Sequence, residues 1–135
     1  FISRTQDLSY RGFDAIASIV FHGTFYVTHS VGRRWLELGM GGNIISILAT
    51  WVWTGSAFTV PSAMSRSGIH AMTQSLATEW GKTGIRINAI APGPFPTEGA
   101  WARLSLQDKI LVKHLLVQAE ATVKIQWEEL VRWRN

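Results

Sequence analysis

The run Gly84-Ile85-Arg86-Ile87-Asn88-Ala89-Ile90-Ala91-Pro92-Gly93-Pro94 comes directly after a helix-like stretch, Ser62–Trp80. Its isoleucine-rich core predicts a short buried strand, and the Pro-Gly-Pro that stops it confines the loop to a narrow geometry. In open α/β sheets, ligands bind just beyond the carboxyl ends of the strands, where loops of this kind lie.

A second short buried strand is predicted upstream, over Asn43–Leu48. The helix between the two is predicted from about Pro61 to Trp80, with proline in its first turn and Gly81 beyond its end. Two strands joined by such a helix form a βαβ unit, parallel and right-handed by default. Ala63, Ser67, Ala71 and Ser75 recur every four residues along it, a smooth face suited to close helix packing. Before the first strand, Ser9 is the expected N-cap of a long helix from about Tyr10 to Leu38, ended by Gly39. Phe13, Ile16, Ala17, Val20, Thr24, Val27, Val31 and Trp35 form its predicted buried stripe. Gly39-Met40-Gly41-Gly42 has the glycines of a dinucleotide fingerprint, but it follows a helix and precedes a strand. The fingerprint needs the reverse order, so this is a helix-to-strand connection. Ala49–Val60 reads as a loop, and its place after a strand makes it a candidate wall of a ligand site. The tail from Leu104 to Asn135 is helix-like, with apolar positions including Ile110, Leu115, Val123 and Trp127.

Composition narrows the functional classes. The 135 residues suit one domain, and 47% hydrophobic content is ample for a core. Only 16% of residues are charged and seven are Trp, so apolar surface is expected to meet a partner or another part of the same domain. The thirteen Lys and Arg are scattered, which argues against a nucleic-acid surface; a net charge of +4 suits an acidic ligand such as a nucleotide or coenzyme A. With no cysteine, disulfides, thiolate metal sites and Cys nucleophiles are excluded. His29, His70 and His114 lack metal-ligand spacing, so no metal is expected. No apolar stretch approaches a membrane span, and a cytoplasmic location is the default expectation. The chain opens on Phe1-Ile2-Ser3-Arg4, without an initiator methionine, as expected of a sequence that begins within a longer protein.

Pro61-Ser62-Ala63-Met64-Ser65-Arg66-Ser67-Gly68, Thr54-Gly55-Ser56 and Pro92-Gly93-Pro94-Phe95-Pro96-Thr97-Glu98-Gly99 resemble the second half of a short-chain dehydrogenase/reductase. Within that superfamily the chain is most similar to the 2,4-dienoyl-CoA reductases. The likeness runs from Phe1 to about Leu104, which divides the chain into residues 1–104, the C-terminal part of such a domain, and residues 105–135, a divergent helical tail. It implies an α/β fold: a partial Rossmann-like doubly wound parallel sheet with long flanking helices, lacking the N-terminal half with its phosphate-cradling glycine turn. The implied function is NADPH-dependent reduction of 2,4-dienoyl-CoA to enoyl-CoA in the breakdown of unsaturated fatty acids. A peroxisomal or mitochondrial location would then suit a eukaryotic source. This chain alone is expected to bind NADPH poorly and to be inactive, because a phosphate needs converging N–H groups at a helix N-terminus. The resemblance also implies a homo-oligomer, packed through the helices over 10–38 and 61–80.

The resemblance assigns candidate roles residue by residue. Ser62 and Arg66, four apart on one helix face, stand where most of the superfamily has Tyr and Lys. The dienoyl-CoA branch has Ser at the first position, and both residues are expected to hold the cofactor. Arg66 departs from Lys in being planar, bulkier and no proton donor near neutral pH. Trp51 stands where the family has a Tyr that hydrogen-bonds the substrate thioester; an indole N–H can donate one such bond. His22, in Phe21-His22-Gly23-Thr24, stands at the usual Asn and is a second candidate for that oxygen. Ala49 replaces the usual catalytic Ser, which argues against ordinary alcohol or ketone reduction. Pro92, Gly93, Pro94 and Phe95 match the turn that meets the nicotinamide, with Thr97 nearby, and Arg103 matches a basic residue facing the acyl-CoA. Structural alternatives stand beside each: a solvated helix face for Ser62 and Arg66, core or lid packing for Trp51, an ordinary helix histidine for His22, a plain turn for Pro92–Phe95. At the level of the whole chain, the alternatives are a non-catalytic fragment or pseudoenzyme that packs against related subunits, and a reductase of another substrate.

Overall fold

In the computed structural model, the described residues are 2–93. Pro94, Phe95, Thr97, Arg103, His114 and the 105–135 tail lie outside them. Residues 3–92 belong to one compact unit, while Ile2 and Gly93 fall outside it.

The chain begins with a short 3₁₀ turn, Thr5–Asp7, and then enters the long helix. Ser9 caps it as expected: its Oγ accepts from the Gly12 amide at 3.1 Å. The helix comes in three pieces, α1 (Tyr10–Ile16), a π-helical segment (Ala17–His22) and α2 (Gly23–Leu38). In the π segment the Gly23 amide donates to the Ser18 carbonyl, one residue further back than in an α-helix. The wider turn absorbs an extra residue and rotates everything after it. The stripe predicted on a constant helical period therefore holds through Phe13, Ile16, Ala17, Val20 and Thr24, all half-buried, and then slips. Val27 is 66% exposed and corrects that expectation; Thr28 and Gly32 take the buried positions. Val31 and Trp35 remain half-buried. At the end of α2, Gly39 takes φ 62°, and Met40 donates back to Trp35 at 2.9 Å. This left-handed exit is one that a glycine adopts without strain.

The strands β1 (Gly42–Ile47) and β2 (Ile85–Ile90) pair in parallel, in register from Gly42 opposite Ile85 to Ile47 opposite Ile90. Between them lie a helical turn, α3 (Trp51–Thr54), and the helix α4 (Val60–Trp80). The predicted loop over 49–60 thus contains a turn of helix, and β1 starts and stops one residue earlier than the sequence indicates. Pro61 sits in the first turn of α4, where its missing N–H costs no helical bond.

The core lies between α4, α2 and one sheet face. Trp80, Ile85 and Ile87 form its centre, with Trp35, Ile44 and Leu76 packed against them. α4 turns Pro61, Ser65, Ile69, Thr73 and Trp80 inward. The small-residue row runs along a different face, with Ser67, Ala71 and Ser75 exposed. On the other side of the sheet, Ile45, Ile47 and Ile90 are each more than half exposed. No helix among the described residues is long and apolar enough to cross a membrane.

Candidate active site

The parallel ladder continues past both strand ends and draws two loops together. The Leu48 amide donates to Ile90 O at 2.7 Å, and the Thr50 amide donates to Pro92 O at 3.1 Å. The residue before Trp51 is thereby tied to the first proline of the Pro-Gly-Pro turn. From Thr50 the chain folds into α3, where Trp53 donates to Thr50 O and Gly55 donates to Trp51 O. This compact turn sits at the carboxyl end of β1, the position at which open α/β sheets bind ligands.

Ser62 and Arg66 reach the same place from α4. Arg66 Nε donates to Ser62 Oγ at 3.3 Å, so the two side chains do share one helix face. Nη1 of Arg66 donates to the carbonyl oxygens of Ile47 and Leu48, the latter at 3.1 Å. Trp51, Ser62, Arg66 and Pro92 are thus gathered by hydrogen bonds and chain continuity around the ends of β1 and β2.

The indole of Trp51 is the least satisfied group in the region. Its Nε1 is buried and has no hydrogen-bond partner among the described residues. An unpaired buried donor costs about 1–3 kcal/mol, so each instance calls for a specific explanation. Two residues before it, Ala49 is 3% exposed and offers no hydroxyl.

His22 lies at the end of the π segment with its ring 5.6 Å from Phe21 and 6.1 Å from Tyr26. Phe21 packs against Gly68, leaving no room there for a Cβ, which sets this segment beside α4 two positions beyond Arg66. No described contact joins the imidazole itself to Trp51, Ser62 or Arg66. Of the candidates within the compact unit, the structure brings together Trp51, Ser62, Arg66 and Pro92, and leaves His22 apart; Gly93 falls outside that unit. No cluster of metal-binding side chains occurs among the described residues.

Three features escaped the sequence. Arg66 spends three donor contacts inside the chain; its four-residue spacing from Ser62 was readable, but the reach to strand carbonyls eighteen and nineteen positions earlier was not. Phe58, in the loop before α4, takes φ 65°, a left-handed conformation that a bulky side chain seldom adopts. Its carbonyl accepts from the Ser3 amide at 3.0 Å, and nothing in residue type marks it. His70 meets Trp53 edge-on at 5.3 Å, a contact set by the fold of α3 back onto α4.

Comparison with known proteins shows the family. The family model described as enoyl-(acyl carrier protein) reductase matches residues 2–128. A probable (3E)-enoyl-CoA-producing 2,4-dienoyl-CoA reductase of Caenorhabditis elegans is 49% identical over 105 residues, covering 78% of this chain and 34% of that protein. A crystal structure of a short chain dehydrogenase from Bacillus anthracis superposes with a TM-score of 0.68 at 46% identity, over 70% of this chain and 38% of that one. A 4-hydroxyisoleucine dehydrogenase complexed with NADH and succinate gives 0.66 at 26% identity, over 68% and 43%. The chain spans about a third of the length of the curated relatives it matches. With its parallel βαβ unit and these likenesses together, the chain belongs to the short-chain dehydrogenase/reductase family.

Proposed function

We propose that, in a protein that also carries the family's phosphate-binding half, these residues serve the reduction of 2,4-dienoyl-CoA thioesters to enoyl-CoA with NADPH. The observation that carries this reading is the buried, unpaired Nε1 of Trp51 beside the strand ends. A donor fixed in advance suits a thioester oxygen that gains negative charge as hydride adds to the conjugated dienoyl chain, an arrangement that often supplies the largest catalytic contribution. The name of the Caenorhabditis elegans relative supports the substrate class.

The residues present fit the nicotinamide end of such a cofactor. Ser62 offers a hydroxyl, and the Nη2 amino group of Arg66 has no partner among the described residues. Pro92, continued by Gly93, Pro94, Phe95 and Thr97, would face the carboxamide. Bound there, the cofactor supplies hydride. Trp51 would hold the thioester oxygen with His22 as a second donor, and Arg103 would face the coenzyme A. Among the described residues no strand–glycine turn–helix exists to hold a pyrophosphate, so the 135-residue chain by itself is proposed to lack turnover. NADH is the competing cofactor, since the solved 4-hydroxyisoleucine dehydrogenase relative holds it.

A second reading, a non-catalytic chain that packs against related subunits, is favoured by exposed apolar side chains on the long helix. Tyr10, Ile19, Tyr26 and Val27 are each more than 60% exposed. Titration with NADPH, followed by tryptophan fluorescence, tests the two. Saturable quenching of Trp51 and Trp53 supports the reductase reading, and its absence, in the chain and in a full-length protein alike, supports the packing one. A spectrophotometric panel of acyl thioesters and sugars then fixes the substrate.

A further inference from the structure

A helix of one turn does not hold itself together. Forming the first hydrogen-bonded turn costs more backbone freedom than it returns, so the four-residue α3 needs tertiary contacts to persist. It receives few. No whole residue of it is buried, and no side chain caps its start. Upstream it is tied through the Thr50 amide to Pro92 O. Downstream it runs into Gly55, at φ 68°, with nothing within 4 Å of where a Cβ would stand. Among the described residues its one aromatic contact is Trp53 against His70, edge-on with ring centroids 5.3 Å apart.

His70 is a firm anchor for such a contact. Its neighbours Ile69 and Thr73 are among the residues that α4 buries in the core. Trp53 in turn controls what the rest of the turn can do. At 3.6 residues per turn, Trp51 and Trp53 leave α3 on nearly opposite sides. With Trp53 held on His70, α3 cannot roll about its axis, and the Trp51 indole stays in place with its Nε1 buried and unpaired. Without that hold the turn gains by opening, because water would then satisfy the orphaned N–H.

We propose that His70 is a positioning residue: it acts through Trp53 to latch α3 at the carboxyl end of β1, and so keeps the Trp51 N–H buried and fixed in direction. The latch belongs to the ligand-free chain, and its service to a thioester oxygen rests on the reductase reading above.

The test is hydrogen exchange by NMR at constant pH, on the 135-residue chain with ¹⁵N-labelled tryptophan and backbone. The Trp51 indole resonance is assigned by its loss in Trp51→Phe. In His70→Ala, exchange of that N–H should quicken by roughly three- to tenfold, the size of one aromatic pair. The backbone amides of Ile69 and Thr73 should keep their protection, because α4 stays packed. Trp53→Ala breaks the same contact from its exposed side and should quicken exchange equally. His70→Phe, which keeps a ring at the contact, should restore slow exchange. Unchanged exchange at Trp51 in His70→Ala and Trp53→Ala overturns the latch. So does a parallel loss of protection at Ile69 and Thr73, or a failure of His70→Phe to restore. None of these readings needs a cofactor, so a chain that fails to bind NADPH leaves them intact, and a failed latch leaves the NADPH titration to stand alone.

Discussion

Trp80 packs against Gly32, with its indole carbons occupying the space where a Cβ on that residue would stand. Both residues are buried, and the contact joins the end of α4 to the middle of α2. Trp80 is also packed with Ile85 and Ile87, so it cannot retreat without disturbing the sheet. Gly32→Ala should therefore destabilise the chain by about 1–3 kcal/mol, the usual effect of forcing a methyl group into a filled core. Urea denaturation followed by circular dichroism measures it. Gly81→Ala, where nothing stands within 4 Å of the added Cβ, is the matched control and should change little.

Trp51 makes the opposite case. Its buried Nε1 is a liability in the ligand-free chain. Trp51→Phe removes the unpaired donor and keeps most of the apolar ring, so stability should hold or rise by about 1 kcal/mol. In a full-length enzyme the same change should lower turnover of dienoyl thioesters by roughly 10²–10³-fold, as removal of one fixed donor to a developing oxyanion does. A stability loss above about 2 kcal/mol would show that packing, rather than the lost N–H, dominates at this position.

How much of this was legible in the sequence differs element by element. Ser9, Gly39, Pro61 and Gly81 are local signals, and each helix end fell within a residue of its prediction. The strands were readable because isoleucines cluster between turn residues, and parallel pairing followed from the helix between them. The Ser62–Arg66 pair was readable from spacing on one helix. What failed was long-range or phase-dependent. Val27 was misplaced because a π turn leaves no mark in a periodic pattern, and the anchoring of Arg66 on β1 carbonyls depends on tertiary placement that no local window contains.

The π segment yields its own prediction. As a one-residue insertion, it allows α1 and α2 to present their buried faces to the same neighbours. Deleting Ile19, which is 76% exposed and lies inside the segment, should restore an ordinary α turn and cost less than about 1 kcal/mol. Deleting Arg33, also exposed but inside α2, turns every later residue by about 100° and swings Trp35 off the core. That variant should lose cooperative unfolding. Equal destabilisation by the two deletions would contradict the inserted-residue account.

Parallel sheets are ordinarily buried on both faces, yet here Ile45, Ile47 and Ile90 stand 51%, 54% and 53% exposed on one of them. Ile47 and Ile90 are register partners, so their side chains lie next to each other and form a continuous apolar surface. In the chain by itself this face should bind a hydrophobic dye such as anilinonaphthalene sulfonate and favour self-association. Replacing Ile45 and Ile47 together with threonine keeps β-branching while removing apolar surface. Dye fluorescence should fall with little change in the urea midpoint, because exposed positions contribute within about 0.5 kcal/mol. A large drop in stability with unchanged dye binding would mean that these isoleucines are already covered in solution.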